Sequence, residues 1–452
     1  MKRFLALAIA ALMIFSCAAC SSDGNGDTTA AEGTTAADTV SDVIAAPAND
    51  DTTAPSETAA PAENGGNTAS PAPADRNNNI NIIIKPAGTA KPSVGGSSTV
   101  TPPKTDNTPV EVETDPKKII VSAEKEWIFT EKITDSCHAS TVLPLDDGSV
   151  IAAWFGGSSE KENDVNIYTS VRTEKDGWSK PIVVSAAAEI AHWNPVLFQK
   201  EDGTVILYFK VGKDTDYWQT YYATSTDGRS WSTPKELVPG DNSGGRGPVK
   251  NKPIRLKNGT VLAPASTEID GEWRAFVDIS TDDGATWTKT ANVDSKYCTW
   301  FKVPMIQPTL WQSADGSVHM LTRTKLGKIY RSDSLDGGKT WCRAYATNLP
   351  NNNSGIDLDT DDSGRIFLAY NPVGIPGIRT PLVLSVSTDD GKTFTKIKTF
   401  EKGLAEYSYP AVVVKGDTIH ITYTYERDYI AYWQTSFNSM NMFEINHSLL
   451  RQ

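Results

Sequence analysis

The octapeptide STDDGATW at 280–287 recurs through the chain, and the spacing of its copies restricts the fold more than any other feature. The pattern S-x-D-x-G-x-T-W fits 280–287 and SLDGGKTW at 334–341, and STDDGKTF at 387–394 carries Phe for Trp. STDGRSW at 225–231 is one residue shorter, and SVRTEKDGW from Ser170 is a degraded form. Successive starts at 170, 225, 280, 334 and 387 lie 53 to 55 residues apart. A period near fifty suits a repeated four-stranded unit, and such units close into a propeller.

The segments between copies agree. DGSVIAAWFGG, DGTVILYFKV, NGTVLAPAS, DGSVHMLTR, SGRIFLAYN and GDTIHITYTY each read as a turn followed by β-branched and aromatic alternation. They are six, and no stretch has the long 3.6-residue periodicity of a helix. The repeat itself is explained without catalysis. Its Asp can accept backbone N–H bonds in a hairpin, its Gly supplies a positive φ, and its aromatic packs between sheets. It is expected to be a structural staple, away from substrate.

The chain has 452 residues, and its ends do not read as propeller. MKRFLALAIAALMIFSCAAC (1–20) is a secretory signal with an apolar run too short to span a bilayer. Its ending resembles a bacterial lipoprotein box, which implies cleavage before Cys20 and lipidation there; Cys17 is a poorer site, and plain secretion is the simpler alternative. Segment 21–116 is rich in Thr, Ala, Pro, Asn, Gly and Asp and reads as a disordered tether; NINIIIKP (79–86) within it is assigned nothing. The working domain is expected at 117–440, with a tail at 441–452, on the outer face of a bacterial membrane. Only Cys137, Cys298 and Cys342 fall in that domain, an odd count without CxxC spacing, which argues against a disulfide framework or a zinc site. The net charge of −12 opposes nucleic-acid binding, so an acidic substrate must be gripped by a local basic cluster. No metal site emerges from spacing. The acidic run DTDD (359–362) leaves room for a structural calcium, no other cofactor is expected, and the domain is expected to be a monomer.

These repeats on a secreted six-unit β chain resemble the Asp-box propellers of the sialidase superfamily, over about 120–437. The resemblance implies an all-β, six-bladed β-propeller. It also implies three arginines on a substrate carboxylate, a Tyr nucleophile assisted by Glu, and an Asp acid/base. Arg323 in LTRTKLGKIYRSDSLDGG matches the second arginine, Arg379 in GIRTPLVLSVSTDDG the third, and Tyr407 in AEYSYPAV the tyrosine. The first arginine does not carry over: its place reads SCHASTVLPL, with His138. The glutamate does not either, since Gln307 stands in IQPTLWQSADGSVHM; Asp164 in KENDVNIY lies in the region of the acid.

A phenol of pKa about 10 needs a nearby base to become a nucleophile, and glutamine is not one. Imidazole is available instead. His138 in SCHAST and His192 in AHWNP each precede a blade's strands, whereas His319 and His420 sit mid-strand as packing residues and His447 belongs to the tail. Histidine, tyrosine and arginine together suit β-elimination at a uronic acid: a base removes the proton beside the carboxylate, arginines stabilise the enolate, and an acid protonates the leaving oxygen. HAST, HWNP, RGPVKNKP, IQP and EYSYP look more like the sialidase-like lyases that split rhamnose from glucuronate than like true sialidases. GGRGPVKNKP (244–253) adds Arg246, Lys250 and Lys252 as a basic wall, NNNSGIDL (351–358) offers amides, and Trp193 and Trp218 are candidates to stack on a sugar or simply to pack. Three functions stay open. They are an eliminase on terminal units of acidic glycans, with His138, His192 and Tyr407 catalytic and Arg323, Arg379, Arg246, Gln307, Lys252 and Asp164 binding; an exo-α-sialidase with a remodelled pocket; and a non-catalytic glycan-binding propeller.

Overall fold

In a computed structural model, residues 85–86, 119–186 and 189–437 are described. The signal sequence, Cys20, the bulk of the tether and the tail therefore lie outside the described residues. Those described form six antiparallel sheets of four or more strands, a two-stranded hairpin and one three-residue 3-10 turn. The expected six-bladed all-β propeller is what the chain forms.

Each blade runs from an inner strand outward in chain order. The inner strands of blades 1, 2, 4, 5 and 6 are Ser136–Pro144, His192–Gln199, Met305–Gln312, Asp357–Thr360 and Tyr407–Lys415. In blade 3 only Ile254–Arg255 pairs as an inner strand, because prolines interrupt the stretch before it. The ring closes through Ile120–Trp127, which pairs with Tyr429–Phe437 as the outermost strand of blade 6 and so joins the two ends of the domain. Lys85–Pro86 adds a short pairing to Ile182 and Val183 of blade 1.

Apolar clusters lie between neighbouring blades, such as Val196, Tyr208 and Val261 between blades 2 and 3, and Trp311, Ile329 and Ile366 between blades 4 and 5. The Asp-boxes pin these joints at the end of the ring opposite the inner-strand starts. Ser280 Oγ donates to Asp282 Oδ1 (2.7 Å) and accepts from Gly284 N (2.7 Å), while Asp282 accepts from Thr286 N (2.9 Å) and Thr286 Oγ1 (2.6 Å). The copies at Asp336 and Asp389 repeat these bonds. Gly338 has φ +86, and a Cβ there would lie 2.7 Å from Leu262 of the preceding blade, so the glycine answers both to the turn and to the blade joint. The staple reading of the repeat holds.

Candidate active site

The inner strands share one irregularity. In blades 1, 2, 4 and 6 one extra residue is inserted after His138, Trp193, Ile306 and Ser408, where the register shifts. The inserted turn holds Ala139, Asn194, Gln307 and Tyr409 at positive φ, and Lys250 takes the same conformation in blade 3. Positive φ is unfavourable for such side chains, and bulges of this kind re-aim a side chain and concentrate next to active sites. A proline follows three of them (Pro195, Pro308, Pro410), so the pattern x-P after a polar or aromatic residue marks the bulge.

The bulges gather a cluster about Tyr409. The Tyr409 hydroxyl accepts from Arg323 Nη1 in a short bond and from Gln307 Nε2 at 3.5 Å. Arg323 also donates to Gln307 Oε1 (3.1 Å) and Asn353 Oδ1 (3.0 Å). The guanidinium carbons of Arg323 and Arg379 each lie 5.5 Å from the Tyr409 ring centre. The His138 ring lies 4.1 Å from it, centre to centre. Beneath the tyrosine, Lys250 Nζ donates to Asn251 Oδ1 (2.8 Å), Ile356 O (2.9 Å) and Pro410 O. Gly355 permits this stacking: a Cβ there would lie 3.0 Å from Lys250 Cε and 3.3 Å from Tyr409 Cγ.

His138 is 2 % exposed, and its Nδ1 has no hydrogen-bond partner. Burial, reinforced by the positive charges of Arg427, Arg379, Arg323 and Lys250, holds the imidazole well below its ordinary pKa. It is neutral at neutral pH, the state in which a nitrogen can accept a proton. Burial likewise pulls the Lys250 ammonium down to about 7.

Arg427, in the hairpin between the last two strands of blade 6, is a third guanidinium beside His138 that the sequence reading missed. It donates to Glu160 Oε2 (2.7 Å) and Glu406, and its carbonyl accepts from Cys137 N (2.7 Å). Arg379 donates to the same Glu406 (2.7 Å). Burial alone would raise the Glu406 carboxyl, but the two arginines outweigh it and hold it below the usual range. At the rim of blade 3, burial raises the Glu268 carboxyl against the pull of Arg323 and Lys325.

Several expected site residues lie elsewhere. His192 Nε2 is 3.0 Å from Ala186 N, and its Nδ1 faces Ile190 O (2.9 Å) and Val165 O (3.1 Å), so both nitrogens are occupied by backbone. Tyr407 packs into the hydrophobic core with its ring 5.0 Å from that of Tyr425, and Tyr409 takes the place beside the arginines. Arg246 is held by buried Asp278, with Nη2 to Oδ1 at 2.7 Å, and by Asp241. Lys252 lies against Leu358 O (2.7 Å), Val412 O (2.6 Å) and Asp357 (3.4 Å), tying blade 3 to blades 5 and 6. Asp164 caps its own loop through Ser158 N and Oγ, both 2.9 Å. Trp193 and Trp218 are buried and donate to Gly212 O and Gly244 O, as packing residues do. In DTDD, Asp361 binds Arg365 Nε (2.6 Å) and Asp359 accepts from Val414 N (2.9 Å). Among the described residues, no group of three His, Cys, Asp or Glu side chains could hold a metal ion.

Residues 148–421 match the family model described as BNR repeat-like domain. The chain belongs to this family. No curated protein matches it. Among solved structures, this BNR-repeat chain is similar to a protein of unknown function from Dyadobacter fermentans DSM 18053, with a TM-score of 0.58 and 17% identity over 72% of this chain and 100% of that one. It is also similar to the Hadza microbial sialidase Hz136, at TM-score 0.57 and 16% identity, over 67% of this chain and 66% of that one. A Trypanosoma rangeli sialidase in complex with the inhibitor DANA aligns at TM-score 0.55 and 15% identity, over 71% of this chain and 57% of that one. At such identities the likeness establishes a sialidase-type propeller.

Proposed function

We propose that the protein is a glycan-cleaving enzyme that acts on carboxylated sugars by β-elimination at a uronic acid. Arg323, Arg379 and Arg427 form the carboxylate clamp. His138 takes the proton next to the carboxylate, and the electron pair left behind becomes an enolate stabilised by the guanidinium groups. The enolate collapses to a carbon–carbon double bond as the neighbouring C–O bond breaks, and Tyr409 gives its proton to the departing oxygen. Atoms and electrons balance without an oxidant, a reductant or a water molecule.

The observation that carries this reading is the neutral His138 ring 4.1 Å from that of Tyr409, whose hydroxyl accepts from Arg323 and Gln307 with its own proton remaining free to donate. A positioned base contributes about 10²–10⁴ in rate. Gln307, where a base would serve a hydrolase, cannot remove the phenolic proton.

Hydrolysis of terminal sialic acids is the second reading. It is favoured by the three arginines and by Glu406, a carboxylate on the same strand end as Tyr409. The experiment incubates the full chain with uronate-terminated oligosaccharides and with sialosides. Conjugated unsaturated uronate in the products supports elimination, and free sialic acid alone supports hydrolysis. Binding without either product supports a non-catalytic propeller. On the same reading the domain is tethered to the membrane through Cys20, and Cys20→Ser releases it to the soluble fraction.

A further inference from the structure

A two-stranded hairpin, Lys296–Cys298 with Phe301–Lys302, lies in the connection between the outer strand of blade 3 and the inner strand of blade 4 that carries Gln307. Val303 N donates to Ser295 O (2.8 Å) at its base, and Asp294 O accepts from Ala344 N (2.8 Å) of the blade's outer edge. Beyond it, Pro304 O accepts from Lys325 N, and Ile306 pairs with Arg323. Lys302 precedes Gln307 by five residues, so the hairpin begins within about 17 Å of the cluster at a rise of about 3.3 Å per residue.

Its side chains are unusual for a surface turn. Trp300 is 61 % exposed and Tyr297 54 %, and Phe301 props both, with ring centres 6.2 Å from each. Lys296 and Lys302 stand directly opposite each other. Like charges so placed repel; no hydrogen bond or ion pair holds either ammonium among the described residues, and the nearest acid, Asp294 at the hairpin's base, feels the Lys296 charge but is bonded to Arg343. In a chain of net charge −12, residues 295–304 contain two lysines and no acid. The same face of the ring carries Tyr217, Ile375, Ile378 and Leu404, all exposed. Exposed aromatic groups gathered with unpaired cations mark an interaction site rather than scattered surface.

We propose that this hairpin is an extended subsite that holds further units of an acidic oligosaccharide whose reacting unit lies at Tyr409. The inference rests on the reading above that the substrate is a carboxylated glycan, and it adds that the glycan is a chain of several units. Trp300 and Tyr297 offer flat apolar faces to the C–H faces of sugar rings, and the lysine pair answers their carboxylates.

The test titrates the full chain carrying Arg323→Ala, which slows turnover, with three probes: a hyaluronan disaccharide, a hyaluronan hexasaccharide and neutral maltohexaose. A polygalacturonate hexasaccharide serves as a second acidic chain. At least one acidic hexasaccharide should bind about tenfold or more tighter than the disaccharide, equivalent to about 1.4 kcal/mol. Either Tyr297→Ala/Trp300→Ala or Lys296→Glu/Lys302→Glu should abolish that advantage while changing disaccharide affinity by less than about twofold. Both pairs are exposed, so each serves as a folding control for the other. The proposal is overturned if no acidic hexasaccharide gains affinity over the disaccharide, if the variants leave the gain intact, or if maltohexaose binds as tightly. It is also overturned if the variants abolish only self-association or binding to anionic vesicles. Hairpin-dependent binding with no unsaturated product from the unsubstituted chain would leave this subsite standing and remove the proposed reaction; unsaturated product with unchanged length dependence in the variants would do the reverse.

Discussion

The openings of blades 1 and 2 are built alike and used differently. Each carries a histidine near the start of its inner strand and inserts a bulge soon after it: His138 directly precedes the left-handed Ala139, and His192 stands two residues before the left-handed Asn194. In blade 2 the imidazole is clasped by three backbone groups and serves as a rivet between blades. In blade 1 the ring is as deeply buried, yet one nitrogen is unpartnered and the ring lies against a tyrosine flanked by two guanidinium groups. Burial alone thus separates nothing; the occupancy of the second nitrogen does. A buried polar group left unpaired carries a cost of about 1–3 kcal/mol, and such a cost persists where function uses it.

This comparison can be broken by exchanging the two histidines' fates. His138→Gln should lower kcat by about 10³ while the melting temperature stays within a few degrees. His192→Ala should do the opposite, costing about 2–3 kcal/mol of stability through orphaned backbone groups while the folded enzyme keeps its kcat. Denaturant unfolding and initial rates on the same preparations check both, and a loss of rate in His192→Ala at full folding would merge the two roles.

The pH dependence sharpens the same contrast. Burial holds His192 at about 4, although its backbone bonds pull the other way. The unfolded chain takes up this proton below about 6.5 and the folded one does not, so its neutral burial is fully tolerated above 6.5 and increasingly costly as pH falls towards 4. His192→Gln should remove up to about 3 kcal/mol of acid destabilisation in that window, measured against the stability of each protein at pH 7.

Smaller effects should separate the neighbouring tyrosines. Tyr409→Phe should reduce kcat about 10²-fold, whereas Tyr407→Phe removes a hydroxyl bonded to Tyr425 and should cost less than about 1.5 kcal/mol of stability with activity retained. The smallest expected effect is that of Arg427→Met, about a tenfold rise in KM for a carboxylated substrate, since Arg323 and Arg379 remain.

The repeats and the six blades were legible because their cause is local: an Asp, a Gly and an aromatic fix a hairpin whatever lies around it. His138, Gln307, Arg323 and Arg379, picked out by the resemblance to sialidase-type propellers, do lie together around Tyr409. Tyr409 was missed because an ordinary strand puts 407 and 409 on one face, and only the bulge before Pro410 turns the second ring into the site. That signal was present in the sequence as the shared prolines after Asn194, Gln307 and Tyr409. Arg427 was missed because an arginine in a hairpin reads as solvated. Arg246 and Lys252 do not join the cluster at Tyr409: their partners, Asp278 and Asp357, lie on other strands 32 and 105 residues away, which no local pattern reveals.

The most direct test runs the reaction on uronate oligosaccharides in water enriched in heavy oxygen and weighs the products. Elimination breaks the bond without adding water, so the new non-reducing end should carry a conjugated double bond and no label. A labelled, saturated product would mean that water attacked the sugar and would contradict the assignment of His138 as the proton-abstracting base.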